Sequence, residues 1–229
     1  MISIASPVSS VRHDDDLLAW CGPARERFRR GELVFRAGRF QWPFVIVAGA
    51  MRLDLPAGDD SALHLALPGD LLGFEQLIGL PQSTCGRAIV ETVIAPLGAV
   101  PEGLRQELLI RQLAASHRRT AEQGRLRFGP ASERIRALLL MLAQHEHAAD
   151  EPMCCELPRL SDIAALTDTA PETASRVLSS LRRSGLIASG GDADPQRSVQ
   201  IGPLMHLRAG EMPTGMTRSR TGVAHARAA

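Results

Sequence analysis

LSDIAALTDTAPETASRVLSSLRRSGLI, residues Leu160 to Ile187, sets two short helical periods on either side of a tight break. Leu160, Ile163, Ala164 and Leu166 recur at helical spacing, Thr167-Asp168-Thr169-Ala170 interrupts them, and Val177, Leu178 and Leu181 resume the pattern. Pro171 suits the first turn of the second helix, where its missing N–H costs nothing, and Glu172 beside it complements the helix dipole. This is the layout of a helix-turn-helix, whose second helix reads base edges with its N-terminal residues. Glu172, Ser175 and Arg176 fall on one face there, with Pro171 and Thr173 in the same turn and Arg182 and Arg183 further along for phosphates. Arginine can grip guanine O6 and N7, and glutamate can accept from the N4 amine of cytosine. Taken alone, Glu172 and Arg176 are also an ordinary solvated i, i+4 pair. The surrounding turn favours DNA. After Ser184-Gly185, Leu186 and Ile187 return to the core, and alternating Ser198-Val199-Gln200-Ile201 beyond Gly190-Gly191-Asp192 reads as a hairpin wing.

Composition bounds the rest. A chain of 229 residues with 45% apolar side chains can bury a sizeable core in one large or two small domains. No apolar run is long enough to span a bilayer, and Met1 to Asp16 lacks the pattern of a secretory leader, so the expected compartment is the cytoplasm. The formal charge is +1, and all 26 basic residues are arginines, which marks a compositional bias more than a partner. Between Leu157 and Ile201 arginines and acids balance, so placement of charge carries the DNA argument.

The N-terminal half is punctuated at Gly31, Gly38, Gly49, Gly58 and Gly69. Between them, strands are expected over Glu32–Arg36, Phe44–Ala48, Met51–Leu55 and Ala62–Leu67, with one or two more in Arg87–Leu97. That rhythm predicts a small β-roll, with a turn and short helix at Pro68 to Ile78 where a roll could hold a ligand. From Pro101 to about Phe128 a long helix carries a stripe of Leu104, Leu108 and Ala115. Pairing with a twin would bury this stripe and set two recognition helices about 34 Å apart, the alternative being that the helix packs on its own roll. A second amphipathic helix follows at Ala131 to His147. The expected fold is α+β: a disordered start (1–16), a β-roll or jelly roll that could hold a ligand (17–100), a dimerisation helix (101–128), a winged helix-turn-helix (129–204) and a disordered tail (205–229).

This order of parts resembles the CRP/FNR family, the cyclic-AMP receptor and fumarate-nitrate regulators, over about Phe28 to Ile201. PETASR at Pro171–Arg176 is similar to the E-x-x-S-R pattern of the FNR branch, and PGDLLGFEQLIG, AIVET and ASERIRALLL support the same branch. The resemblance implies a homodimeric transcription regulator that contacts RNA polymerase and reads palindromic TTGAT-type half-sites in double-stranded DNA through Glu172, Ser175 and Arg176. It is closest in kind to FixK-like or nitric-oxide-responsive members, which lack the cluster cysteines.

The input departs from the family's known sensors. Gly73, Phe74, Glu75, Thr84, Cys85 and Arg87 are the expected effector pocket, with Glu75 at the family's ribose-binding acid. Thr84-Cys85 stands where the phosphate-binding Arg-Ser is expected and Arg87 is out of register, which disfavours cyclic AMP. An iron–sulfur cluster is disfavoured too. Cys21 stands alone, Ala95 occupies the place of the fourth ligand, and no C-x-x-C occurs. Haem needs only one axial ligand and stays open among His64, His117, His145 and His147. Cys154 and Cys155, just before the helix-turn-helix, are either a thiol-based redox input or reduced core residues. No nucleophile, base and acid set and no phosphate-cradling loop points to an enzyme. The competing class is a nucleotide-binding regulatory module acting through protein partners.

Overall fold

Two four-stranded antiparallel sheets make the N-terminal half of the computed structural model, which describes residues 17–56, 62–144, 154–189 and 198–207. β1 (Glu26–Phe28), β3 (Phe44–Ala48), β6 (Leu71–Leu72) and β8 (Thr92–Pro96) lie in the order β1-β8-β3-β6. β2 (Leu33–Phe35), β4 (Met51–Asp54), β5 (Ala62–Ala66) and β7 (Cys85–Ala88) lie in the order β2-β7-β4-β5. Alternation along each strand turns Phe35, Phe44, Ile46, Met51, Leu53 and Leu72 into the space between the sheets, where Phe35 and Phe44 meet edge to face. The turn from β3 to β4 needs Gly49: its φ is +85°, and a Cβ there would lie 2.1 Å from the Glu91 carbonyl oxygen.

Past Pro101 the chain enters α1 (Glu102–Arg127), a 26-residue helix. Its first half packs Leu108 against Val45, Leu71 and Leu97 of the roll. Phe128 is extended and Gly129 has φ +93°, so the helix stops before Pro130 and α2 (Ala131–Gln144) sets off in a new direction. Ile135, Leu138, Leu139 and Leu142 are its buried face, as their spacing predicts.

The C-terminal module continues with β9 (Cys154–Glu156), α3 (Leu160–Leu166), α4 (Pro171–Arg183), β10 (Ala188–Ser189), β11 (Ser198–Gln200) and α5 (Gly202–Met205). A three-stranded sheet in the order β10-β11-β9 forms the wing. The wing's turn (190–197), the terminal segments 1–16 and 208–229, and His145 and His147 lie outside the described residues. The two halves share one apolar core, in which Ala50, Leu65, Leu67, Ile89 and Val90 of the roll meet Leu157, Ile163 and Leu166 of the C-terminal module.

Candidate nucleic-acid interface and effector pocket

The turn between α3 and α4 is built by side chains that close on their own backbone. Thr167, fully buried, donates its hydroxyl to the Ile163 carbonyl at 2.7 Å and shares a 3.0 Å hydrogen bond with the Thr169 hydroxyl. Asp168 takes the left-handed conformation (φ 47°), and Arg134 of α2 donates to its carbonyl at 3.0 Å. The turn therefore has a fixed angle. α4 then begins at Pro171 and seats Ala174, Val177, Leu178 and Leu181 in the core. Its opposite face carries exposed Glu172, Arg176, Ser179 and Arg183, with Arg182 exposed at the side and Thr173 and Ser175 partly covered.

Among the described residues Glu172 and Arg176 form no ion pair. Arg176 instead lies back along the helix start, with long 3.4 Å bonds to the Glu172 carbonyl and the Thr173 hydroxyl. Every group for direct readout is thus uncommitted or weakly held. Ser179 and Arg183 extend the same stripe one and two turns further, a continuation that the helical spacing could have revealed.

A cavity of about 280 Å³ lies between the roll and α1. Of the expected pocket residues, Gly73, Phe74, Glu75 and Thr84 line it; Cys85 and Arg87 do not, a correction with a simple cause. β7 alternates, so Arg87 faces the outer side of its sheet, where its guanidinium donates to the Gly31 carbonyl at 2.8 Å. The Cys85 sulfur accepts the Ala37 N–H at 3.4 Å. The wall that sequence reading missed is α1, which contributes Gln112, Ala115, Ser116, Arg119 and Thr120. Polar residues at that helical spacing, breaking an apolar stripe, were the available signal.

Inside the cavity the charges are already paired. Arg119 donates to one Asp70 oxygen at 2.9 and 2.7 Å and to Glu122 at 2.7 Å. Glu75 accepts from the Gln82 amide at 2.9 Å and the Ser83 hydroxyl at 3.3 Å. His64 also lines the cavity; crowding around its ring holds its pKa below the usual histidine value, Arg127 adding to this and Asp70 opposing it.

The dimerisation stripe needs correction as well. Leu108 is 6% exposed in the contact with the roll and Ala115 lines the cavity, so neither is available to a partner; the side chain of Leu104 lies outside the described residues. The roll offers its own apolar surface and takes that stripe. On the opposite side of α1, Ile110 and Leu113 are 61% and 63% exposed, in line with Gln106, His117, Ala121 and, just past the helix, Phe128.

Of the two adjacent thiols, Cys155 is completely buried in the shared core, which removes it from the reach of an oxidant, while Cys154 on the other face of β9 is only partly covered. Cys21 and Ala95, distant in sequence, meet in space: the thiol donates to the Ala95 carbonyl at 3.6 Å. Burial pushes the Cys21 thiol pKa up against the pull of Arg25.

Where the roll meets α3, Arg52 of β4 reaches across and donates to Asp162 at 3.0 Å. Its other edge holds Asp54, at 2.8 and 3.1 Å. Burial pushes the Asp162 carboxyl pKa up, ahead of the opposing pull of Arg52, Arg159 and Arg87, and Asp54 adds to the rise.

Residues 133–197 match the family described as the Crp-like helix-turn-helix domain. Over 172 residues the chain is 33% identical to the transcriptional regulator LdrP of Thermus thermophilus, covering 72% of this chain and 87% of that protein. A solved CRP-family transcriptional regulator, also from Thermus thermophilus, is 29% identical with a TM-score of 0.63, covering 79% of this chain and 93% of that one. FixK2 from Bradyrhizobium japonicum is similar in fold, with a TM-score of 0.58 at 22% identity over 78% of this chain and 91% of its own.

Proposed function

The chain belongs to the CRP/FNR family of transcriptional regulators and carries its helix-turn-helix DNA-binding domain, and from that premise we propose that it is a homodimer reading a palindromic, TTGAT-type site. The observation that carries this reading is the exposed stripe on α4, where Glu172 and Arg176 stand clear of each other while the opposite face is anchored in the core. Ser175 completes the reading triad, Thr173 and Pro171 set the first turn, and Arg182 and Arg183 serve phosphates.

The dimer forms through the Ile110 and Leu113 side of α1, since large apolar side chains that exposed on a long helix call for a partner. The domains divide as 17–100, 101–128 and 129–204. RNA polymerase is the further protein partner, and action on DNA places the regulator in the cytoplasm. Among the described residues no helix is long and apolar enough to cross a membrane. The signal enters at the cavity between the roll and α1. A cyclic phosphate there would find the cation of Arg119 already shared by Asp70 and Glu122, which supports a signal of another kind. Cys154 is the thiol that a redox input would use.

Fluorescence anisotropy with a duplex bearing two TTGAT half-sites, against the same duplex with its guanines replaced, tests the reading. Wild-type protein is expected to prefer the intact site by about 1–3 kcal/mol per guanine contact, and Arg176→Ala to lose that preference while retaining its weaker, sequence-independent binding. Equal binding of both duplexes by the wild type would refute the DNA reader and favour the module that acts through proteins.

A further inference from the structure

The junction between roll and reading module is largely apolar, with polar contacts at a few points. Ala50, Leu65, Leu67, Ile89 and Val90 share a core with Ile163 and Leu166, and apolar burial is non-directional, so it defines the angle between the two parts less sharply than a charged, hydrogen-bonded pair does. Arg52 belongs to such a pair. Its side chain is 8% exposed and that of Asp162 is 6% exposed, and the two belong to segments 110 residues apart in sequence.

Three observations make this more than an incidental pair. First, Asp162 stands in the first turn of α3 yet makes no capping bond to that helix; its hydrogen bond goes to the roll. Second, Arg52 stands directly across from Arg87 on β7, a like-charge pair that the roll would gain nothing from keeping without carboxylates nearby. Third, the guanidinium is divided in use: the edge made by Nε and Nη2 holds Asp54, and Nη1 is left for Asp162. Weaker polar contacts surround it. Arg30 donates to the Leu157 carbonyl at 3.1 Å, the Glu91 amide donates to Glu156 at 3.0 Å, and the Arg159 guanidinium covers Gly31. From Asp162 the path to α4 is stiff, because the Thr167, Asp168 and Thr169 turn fixes α4 against α3.

We propose that Arg52 is a positioning residue for DNA reading: a side chain of the roll that touches no DNA sets the angle of the recognition helix by holding Asp162. The hold leaves Glu172 and Arg176 exposed, so it prepares the reading face instead of covering it. In a dimer, two half-sites must be met at once, and a reading module free to swivel meets both less often. The role rests on the DNA-reading function proposed above.

Asp162→Ala is the direct test, because Arg52 keeps Asp54 and no charge is stranded in the roll. The neutral triple variant R52Q/D54N/D162N is the second; it removes the arginine together with both carboxylates that it holds, so no member of the cluster is left as an unpaired buried charge. For each, thermal denaturation is followed beside anisotropy on the intact and guanine-replaced duplexes. The expected result is a folded protein whose affinity for the intact site falls about tenfold, equivalent to about 1.4 kcal/mol, with binding to the replaced duplex unchanged. A merely structural cluster predicts otherwise: the triple variant would recover stability and site preference together, and that overturns the proposal. So does tighter binding to the intact site, which would make the contact a restraint on reading. Failure of wild-type protein to prefer the intact duplex sinks DNA reading itself and the role of Arg52 with it. A preserved preference in folded variants sinks only the role.

Discussion

Replacing Ile110 and Leu113 together by alanine tests the proposed dimer. The two side chains are 61% and 63% exposed. Truncation removes three carbons from each, worth ~2.4 kcal/mol per side chain if burial were complete, at about 0.8 kcal/mol per carbon. A partner can cover only the exposed three fifths, so about 1.5 kcal/mol per side chain is at stake. In a symmetric pair each substitution is met twice, and the total is about 6 kcal/mol, or roughly four orders of magnitude in the dimer dissociation constant. Sedimentation equilibrium over a wide concentration range measures this directly. A nanomolar dimer would become a species that is monomeric at micromolar concentration, with its melting temperature for the monomer fold little changed because neither side chain belongs to the core. Dissociation of variant and wild type at the same concentration would show that this face of α1 meets no partner.

Two more expectations follow from single positions. Gly49→Ala forces a left-handed residue to carry a Cβ into the Glu91 carbonyl, and a loss of about 2–4 kcal/mol is expected from the urea midpoint; a loss below ~0.5 kcal/mol would mean that the β3–β4 turn relaxes freely. For His64 the folded pKa is lowered, so its contribution to stability is present above the unfolded value near 6.5 and is lost as pH falls through the folded one. His64→Gln should therefore flatten the acid side of the stability profile below that pH, and an unchanged slope in urea titrations would contradict the placement of the ring.

The parts of the fold that repeat a period were legible in the sequence. Phe44–Ala48 is a strand with the expected bounds, and α4 starts at Pro171 because proline and the following acid define a helix start locally. β1, β6 and β9 went unread, since two or three residues show no alternation by themselves; only their pairing partners across the sheet define them. Pocket membership was half legible. Gly73 to Glu75 follow from the turn, but whether Thr84 or Cys85 points inward depends on the register of β7, which a one-residue change inverts. The stripe on α1 failed for a related reason: periodicity shows that a helix has an apolar side, and Leu108 faces the roll because Val45, Leu71 and Leu97 happen to wait there. Arg52 could not be read at all. An arginine in a short strand looks solvent-facing until a helix 110 residues later supplies Asp162.

α1 presents one side to the cavity through Gln112, Ser116 and Arg119, and the opposite side, at Ile110 and Leu113, to whatever lies beyond it. It is a shaft with a load on each flank. A helix resists twisting within itself, so a push on one flank is delivered to the other as rotation, with no chain of intermediate side chains to carry it. At a radius of roughly 5 Å, a displacement of about 1 Å at Gln112 turns the helix by about 11°. Ile110, across the axis from Gln112, then moves by the same arc in the reverse sense. A molecule too small to reach beyond the cavity thus has the mechanical means to turn the far flank of α1, where the proposed dimer contact lies.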